Sequence, residues 1–506
     1  MARTNPLLHS LPLLASALGR SYGIQVHIGG NRAWTDGRVI HLPSLPTEAD
    51  RTFLGLVRGY VDHEAAHLRH TDFDCLRDLT ALEKHIWNIF EDWRVENRLA
   101  AQYPGCRRNF TWLIRHLFLE RSPEPDEQNP ALLLLNWLLL SVRGWDVPEL
   151  GVRVRKTRDI LDRFWPDLLV RVEIILEQVR RSCPDSQACL DAARAVVREI
   201  GHKAKALPAA EPQAASVERL LRATEKELPD ELGAILGKSL ELGVQGKDER
   251  AGARVQVATI AGKSMRPLMA EQLEAARRIT LALRTRLQGK LQAQLACHNV
   301  PSSRGRVAPT RLHRLAARDA KVFLRQGQRT AMNTAVHLLL DCSGSMRRRI
   351  AMAGQVCHVL ARTMELMGIN VAVTAFPAGH GEGDLQTVAP LVRHGQPVHT
   401  RFSLAASGKT PMGEALWWAI LEMVPLREQR KILLLVTDGD PDNHETATQA
   451  LSAALLAEIE VFGLGIDSPG ITSLMPRRSI NIQAIQELAP AVFQFFGQAL
   501  FHSTKS

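Results

Sequence analysis

The chain has no long hydrophobic run and few cysteines, and both features bear on where it works. No apolar stretch approaches the ~20 residues that are needed to cross a bilayer. Residues 6–18 are apolar in patches, but His9, Ser10 and Pro12 interrupt them, which favours an amphipathic helix over a signal peptide. The seven cysteines show no repeated CxxC spacing, which is typical of reduced thiols. We therefore expect a cytoplasmic protein without membrane spans.

Aromatic residues are scarce, at 5% of the chain with three tyrosines. The net charge of +10 favours acidic partners, either nucleic acid or an acidic protein surface. No platform of aromatic and basic residues for nucleic acid accompanies this charge, even in the basic segment 304–329. Nucleic acid is therefore the less favoured partner.

The three tyrosines (Tyr22, Tyr60 and Tyr103) have no spacing that would mark one of them as the residue that stabilises the oxyanion in a hydrolase.

The chain also lacks a nucleotide-binding loop of its own. Gly408-Lys409-Thr410 resembles the end of a P-loop, but Ser403 stands where that loop requires its first glycine, and Pro411 follows. Any ATP-driven work must therefore come from a partner protein.

The most informative segment present is Asp-Cys-Ser-Gly-Ser at 341–345, directly after the apolar run 336–340. A short buried strand that ends in this way places Asp341, Ser343 and Ser345 on one tight loop. Carboxylate and hydroxyl oxygens are hard ligands that suit Mg²⁺, but three of them are too few to hold the ion alone.

Two later segments offer the missing ligands. Thr410 lies in a polar loop, and Asp438 follows the apolar run 433–436 at the end of another predicted strand. Asp-x-Ser-x-Ser followed by Thr and then Asp resembles the ligand set of the von Willebrand factor A (VWA) domain. The resemblance implies a MIDAS-type Mg²⁺ site formed by five residues: Asp341, Ser343, Ser345, Thr410 and Asp438.

A second constellation is His63-Glu64-Ala65-Ala66-His67. Residues 50–71 have helical periodicity, so the two imidazoles lie one turn apart on one face, as a tetrahedral Zn²⁺ site requires. In this HExxH pattern Glu64 would stand beside the metal and could take a proton from a bound water.

The third zinc ligand must come from elsewhere, and a second predicted helix at 79–99 supplies adjacent acids. Glu91 shares a stripe with apolar side chains and is the favoured ligand, whereas Asp92 shares a more polar stripe and is the alternative. His70, on the same stripe as His63 and His67, is a weaker candidate.

The predicted elements divide the chain into an N-terminal domain, a helical middle region, a basic connector and a C-terminal domain. These parts cover residues 1–110, 111–300, 301–331 and 332–506. The first is a mainly helical, zincin-like domain with a short hairpin (24–28 and 38–42) before the HExxH helix. Linkers are predicted near 206–216 and 243–262. The C-terminal part alternates strands and helices, which predicts an α/β fold: a Rossmann-like, mostly parallel sheet with helices on both faces.

Taken together, the chain resembles VWA-domain proteins that work with MoxR-type AAA+ ATPases, above all the T subunit of aerobic cobaltochelatase. The stretches 63–73, 90–96, 322–323 and 334–346 carry this resemblance. It implies an adaptor subunit whose Mg²⁺ site engages an acidic residue of the ATPase. Those subunits carry a long acidic middle segment, whereas this chain is basic near 304–329, so its client is left open.

Two functions from different classes follow. The leading hypothesis is a Mg²⁺-dependent adaptor that recruits a protein client to an AAA+ ATPase. The alternative is a zinc metallopeptidase in which Glu64 is the general base and the VWA domain selects the substrate.

Overall fold

The elements of the chain fall into two units, Met1–Gly252 and Ala253–Ser506, in a computed structural model. The structure describes residues 11–46, 50–120, 129–206, 212–245, 255–295, 300–302, 304, 306–307, 323–325, 333–379, 385–439, 441–467, 470–488 and 490–491. Most of the predicted basic connector lies outside these residues. Among the described helices, none combines the length and the apolar character that a bilayer span requires.

The first unit is mainly helical, as the sequence predicts, while its zincin-like character stays a prediction. Its helices are α1 (Leu11–Tyr22), α2 (Arg51–His70), α3 (Ala81–Gln102), α4 (Pro104–Arg115), α5 (Pro130–Gly144), α6 (Gly151–Asp162), α7 (Pro166–Arg181), α8 (Ser186–Ala206), α9 (Pro212–Leu221) and α10 (Leu232–Gln245). Asp50 caps α2 by accepting a hydrogen bond from the Phe53 amide at 2.7 Å. Thr80 and Glu83 form a capping box that starts α3.

The small sheet before α2 differs from the predicted hairpin. Its strands β1 (Gln25–Ile28), β2 (Trp34–Thr35) and β3 (Val39–Leu42) lie in the order β1-β3-β2. β1 and β3 are parallel, and only the short β2 is antiparallel to β3. The hairpin prediction was therefore wrong, because the connection between β1 and β3 contains a third strand that reverses the chain once more.

Helix α3 lies at the centre of the first unit, where it contacts α2, α4, α5 and α8. Its side chains are consequently buried on several faces, including the charged residues Glu91, Asp92, Arg94 and Glu96. Charged groups in such a position must find partners inside the protein.

The second unit contains a seven-stranded sheet in the order β13-β12-β11-β8-β9-β10-β4. These strands are β4 (Thr259–Ile260), β8 (Thr334–Asp341), β9 (Asn370–Phe376), β10 (Thr387–Val392), β11 (Arg430–Thr437), β12 (Ile459–Ile466) and β13 (Ser479–Ile482). A separate small antiparallel sheet has the order β5-β7-β6 and consists of β5 (Val300–Ser302), β6 (Arg306–Val307) and β7 (Phe323–Arg325). In the large sheet only the β9–β10 pair is antiparallel, which confirms the predicted parallel-rich α/β architecture.

Helices cover both faces of this large sheet. They are α11 (Ala270–Leu295), α12 (Ile350–Leu366), α13 (Met412–Met423), α14 (His444–Leu456) and the short α15 (Gly470–Leu474). Successive side chains of a strand point to opposite faces. Val336 and Leu338 of β8 belong to the core that includes residues of α11 and α12. His337 between them contacts Trp418 of α13.

The end of the helical middle region and the two linkers differ from their predicted positions. Helix α11 belongs to the same unit as the large sheet rather than to a helical middle region, because Ala276, Leu283 and Leu287 join the core of that sheet. Both predicted linkers are shorter than expected, since α9 begins at Pro212 and α10 continues to Gln245. Proline is well suited to the first position of a helix, and it starts α9 here.

The register of the two central strands determines where their polar ends meet. β8 and β11 are parallel neighbours in which Leu340 pairs with Val436. Asp341 and Thr437 therefore end adjacent strands at the same level, and Asp438 follows directly. Carboxyl ends of parallel strands are the usual place for a ligand site in such sheets.

Candidate metal centres

Asp341 is the buried anchor of the first candidate site. One of its carboxylate oxygens accepts a hydrogen bond from the Ser343 amide at 2.8 Å, and the other accepts one from Thr437 Oγ1 at 2.5 Å. Burial raises the pKa of Asp341 to about 6, the charge of Asp438 adds to this, and the hydrogen bonds from Thr437 and Ser343 oppose it. A cation beside the carboxylate would relieve this unfavourable burial of charge.

The other predicted ligands are joined to Asp341 by a chain of hydrogen bonds. Ser343 Oγ lies 3.0 Å from Ser345 Oγ, and Ser345 Oγ donates to Asp438 Oδ1 at 2.9 Å. The second oxygen of Asp438 accepts a hydrogen bond from Arg349 Nη1 at 2.7 Å. We call Asp341, Ser343, Ser345 and Asp438 the strand-end cluster.

The loop that carries Thr410 packs directly against this cluster. The Gly344 amide donates to the Gly408 carbonyl at 2.9 Å, and the Ser407 amide donates to the Cys342 carbonyl at 2.8 Å. Gly408 has φ +89°, a left-handed conformation that favours glycine. Thr410 itself is buried. The structure thus brings four of the five predicted residues together through side chains, and it holds the fifth nearby through its loop.

The donor set of the strand-end cluster fits a hard divalent cation. Two carboxylates and two hydroxyls lie at one strand edge with the hydroxyl of Thr410 on the adjoining loop, and such oxygens are the ligands that Mg²⁺ accepts. Asp341 and Ser343 are buried whereas Ser345 is exposed, so the cluster opens to solvent on one side. Thr437 and Arg349, which bind the two carboxylates, were not predicted from the sequence.

The second candidate site lies on α2 and α3. His63, His67 and Asp92 each offer one ligand atom, and these atoms all lie within 4.8 Å of one another. No other group of three His, Cys, Asp or Glu residues in the described parts of the chain meets that distance. We call His63, His67 and Asp92 the histidine centre.

Glu91, the favoured third ligand, is directed elsewhere. Its carboxylate accepts hydrogen bonds from Arg94 Nε at 2.9 Å and from Ser186 Oγ at 2.8 Å, on the side of α3 that faces α8. The preference for Glu91 over Asp92 was therefore wrong. An apolar stripe did not identify the face directed at α2, because α3 is buried on several sides. His70 is likewise not part of the histidine centre.

Three further residues orient the histidine centre. His63 Nδ1 lies 2.9 Å from Glu96 Oε1, and His67 Nδ1 lies 3.0 Å from Thr71 Oγ1. Both imidazoles can thus direct Nε2 towards a shared ion, and His67 Nε2 is already 3.0 Å from Asp92 Oδ1. Arg143, which is 1% exposed, donates to Glu96 Oε2 at 2.6 Å and to Asp92 Oδ2 at 3.0 Å. Such partners around the ligands are typical of metal sites in which His is held in one tautomer.

In the histidine centre, nearby charged groups shift the pKa values of the buried residues His63 and Asp92. Burial would lower the pKa of His63, but the hydrogen bond with Glu96 and the charges of Asp92, Glu96 and Glu64 raise it to about 9. Burial would raise the pKa of Asp92, but the hydrogen bond with His67 and the charges of His63 and Arg143 lower it to about 2. A positive charge is therefore favoured beside Asp92, and a proton on His63 and a metal ion compete to supply it.

Helix α10 covers the same face of α2. A Cβ atom on Gly233 would lie 3.2 Å from Glu64 Oε1 and 3.4 Å from His63 Nε2. Glycine at this position lets the first turn of α10 approach the HExxH residues closely. Glu64 is 8% exposed, and burial raises its pKa against the lowering effect of His63 and His67. The histidine centre is therefore enclosed by its own unit.

Comparison with known proteins shows which family the chain resembles. Residues 2–219 match the family model described as "Cobalamin biosynthesis protein CobT", and residues 322–402 match the one described as "Cobalamin biosynthesis protein CobT VWA domain". Together these two matches include more than half of the chain. A part of the chain is also similar to the solved structure of the manganese-loaded Plasmodium vivax TRAP protein, with 16% identity and a TM-score of 0.25, covering 33% of this chain and 74% of that one. The two family matches identify the chain as a CobT-like protein with a C-terminal VWA domain.

Proposed function

We propose that this protein is the metal-dependent adaptor subunit of a chelatase-type machine whose force comes from an AAA+ ATPase of the MoxR type. The strand-end cluster carries the proposal. Its two carboxylates and two hydroxyls, with Thr410 on the adjoining loop, form a set of oxygen donors that would bind Mg²⁺. The family description, in which CobT acts in cobalamin biosynthesis, supports a chelatase-type role.

The residues around the strand-end cluster prepare it for an acidic partner. Thr437 holds Asp341 and Arg349 holds Asp438, so both carboxylates are oriented before any ion binds. Mg²⁺ held there by Asp341, Ser343, Ser345, Thr410 and Asp438 would keep a coordination position for a carboxylate of the ATPase. Binding would then require both the ion and that carboxylate.

The charges near the opening of the cluster favour the same kind of partner. Arg347 and Arg348 follow Ser345 after the buried Met346 and are exposed, and Lys409 next to Thr410 is exposed as well. Opposite charges on two binding surfaces accelerate association and select the partner. An acidic segment on the ATPase, with one carboxylate at the metal, is therefore the partner that this surface fits.

Capture of the ATPase in the presence and absence of Mg²⁺ tests the proposal. The immobilised full-length protein is expected to retain a MoxR-type AAA+ ATPase from extracts of its own cells in Mg²⁺, to release it in EDTA, and to bind it again when Mg²⁺ is restored. Mass spectrometry identifies the bound protein. Retention that EDTA does not change, or the absence of any AAA+ ATPase from the bound fraction, would overturn the proposal.

The histidine centre supports a second activity, hydrolysis of a peptide bond. His63, His67 and Asp92 would hold Zn²⁺, with Glu96, Thr71 and Arg143 fixing their orientation. Zinc bound there would lower the pKa of a water molecule and polarise a carbonyl. Glu64 is placed to take the proton of that water, but a peptide could reach it only if the first turn of α10 moved. A structural role, in which bound zinc stabilises the first unit, therefore requires no movement of α10. Peptide hydrolysis is the alternative.

Zinc content and peptidase activity of three proteins separate these roles. We expect zinc near one ion per chain in the wild type and in Glu64→Gln, and loss of at least about 90% of it in His63→Ala, because only the last removes a ligand. If the peptidase proposal holds, the wild type cleaves peptides and Glu64→Gln does not, although it keeps zinc. Hydrolysis that persists in Glu64→Gln contradicts the assigned base, and absence of zinc from the wild type contradicts the site itself.

A further inference from the structure

Cys183, in the segment before α8, lies in direct contact with Cys189 in the first turn of that helix. Cys183 Sγ is 3.0 Å from Cys189 Sγ, and both thiols are free. A disulfide bond brings two sulfur atoms to about 2.05 Å, so the pair needs only a small further approach. Cys183 is partly exposed, whereas Cys189 is fully buried. A solvent-borne oxidant can therefore reach one sulfur and not the other.

The surroundings of the pair give the two thiols different tendencies to ionise. The hydrogen bond with Cys189 and then the positive charge of Arg94 lower the pKa of Cys183. The hydrogen bond with Cys183 and burial raise the pKa of Cys189. A thiolate is the reactive form of cysteine. Cys183 is thus suited to attack an oxidant, and Cys189 to complete the bond afterwards.

The pair also touches a buried hydrogen-bond network. The thiol of Cys189 interacts with the Glu91 carboxylate, which accepts hydrogen bonds from Arg94 and Ser186. Arg94 Nη2 in turn donates to the backbone carbonyl of His70, the last residue of α2, at 2.7 Å. A change at the cysteines therefore reaches both the helix that carries His67 and the helix that carries Asp92.

We propose that Cys183 and Cys189 form a reversible disulfide, a redox modification site that acts on the hydrogen-bond network of Glu91. The proposal does not depend on the metal sites or on the adaptor function. It rests on the contact between the two sulfur atoms, on the exposure of one of them and on the shared contact with Glu91.

The chemistry balances with a small disulfide such as oxidised glutathione as the oxidant. The thiolate of Cys183 attacks one sulfur of glutathione disulfide, its S–S bond breaks, and one glutathione leaves as a thiolate. Cys189 then loses its proton to solvent, and its sulfur attacks Cys183 Sγ and expels the second glutathione. Two protein thiols are oxidised, and one glutathione disulfide is reduced to two glutathione molecules. The disulfide thus removes the thiol hydrogen of Cys189 beside the Glu91 carboxylate.

One tryptic peptide reports the reaction. Trypsin releases residues 182–194, which contain both cysteines and no other. The full-length protein is equilibrated with mixtures of reduced and oxidised glutathione, alkylated without reduction, and digested. We expect this peptide to escape alkylation and to be about 2 Da lighter than the reduced form. The native protein should need at least about tenfold less oxidised glutathione than the protein in guanidinium, because the fold brings the two sulfur atoms together.

Three variants make the test specific. Cys189→Ser should keep glutathione attached to Cys183, because the second attack is no longer available. Cys183→Ser should leave the buried Cys189 reduced, and Cys75→Ser, which removes another partly buried thiol, should leave the 182–194 disulfide unchanged. Full alkylation of the wild-type peptide at every glutathione ratio would overturn the proposal. So would an equal requirement for oxidant in the native and the unfolded protein.

Discussion

Replacing Asp341 and Ser343 together by alanine is expected to weaken Mg²⁺-dependent binding of the AAA+ ATPase by at least about 100-fold, which corresponds to about 2.7 kcal/mol. The double change removes the buried carboxylate of Asp341 and the Ser343 hydroxyl that contacts Ser345. The three remaining oxygen donors are too few to hold Mg²⁺ against water. Affinity is measured by titrating the labelled ATPase with the wild-type and variant proteins at constant Mg²⁺.

This variant complements the use of EDTA, because a chelator also removes Mg²⁺ from the nucleotide of the ATPase. Asp467→Asn is the matched control: it removes an exposed carboxylate that contacts Arg349 but belongs to no donor set. It should bind the ATPase within about twofold of the wild type. Zinc retained by the double variant would show that the first unit is still folded. Wild-type affinity in the double variant would mean that the strand-end cluster is not the binding site.

The residues of the strand-end cluster could be predicted from the sequence, because short local patterns identify them. Apolar runs before Asp341 and Asp438 predict buried strands, and parallel strands place their carboxyl ends at one edge. What the sequence did not show is which side chains hold the two carboxylates. Thr437 reaches Asp341 only through the register between β8 and β11, and Arg349 reaches Asp438 only through the turn after Ser345.

For the histidine centre, the sequence predicted only some of the residues. The helical pair His63 and His67 followed from spacing alone, whereas the choice between Glu91 and Asp92 did not. Periodicity identifies an inward face when one face of a helix is exposed, and α3 has no such contrast at these positions, since Glu91 is 0% exposed and Asp92 is 3% exposed. Only tertiary contacts decide that Glu91 meets α8 and Asp92 meets α2.

The residues that complete the histidine centre come from far along the chain. Arg143 lies 51 residues after Asp92, and Gly233 lies on a helix that no local pattern connects to α2. A lone arginine near the end of an apolar helix is normally interpreted as a solvated end. Its burial here follows from the two carboxylates that it neutralises, which only the fold brings to it.

Arg143→Met is expected to destabilise the zinc-free protein by about 3–5 kcal/mol. Methionine keeps an unbranched, apolar stem but lacks the guanidinium, so it leaves one oxygen of Asp92 and one of Glu96 without their donor in a buried environment. Removing one partner of a buried ion pair typically has this effect, because the remaining charge stays away from water. Chemical unfolding in the presence of a chelator, with the first unit followed by tryptophan fluorescence, measures the change.

Arg158→Met provides the matched control, because Arg158 pairs with Glu173 at 2.6 Å while its side chain is 32% exposed. Partly exposed ion pairs contribute little, so this variant should lose less than about 1 kcal/mol. Zinc should stabilise the wild type and both variants, because all three proteins keep His63, His67 and Asp92. It should reduce the difference in stability between Arg143→Met and the wild type, since a cation at the histidine centre offsets the charge of Asp92, and leave the small difference for Arg158→Met unchanged. Equal losses in the two variants would show that Arg143 does not neutralise the buried carboxylates. A loss in Arg143→Met that zinc leaves unchanged would separate Arg143 from any metal site.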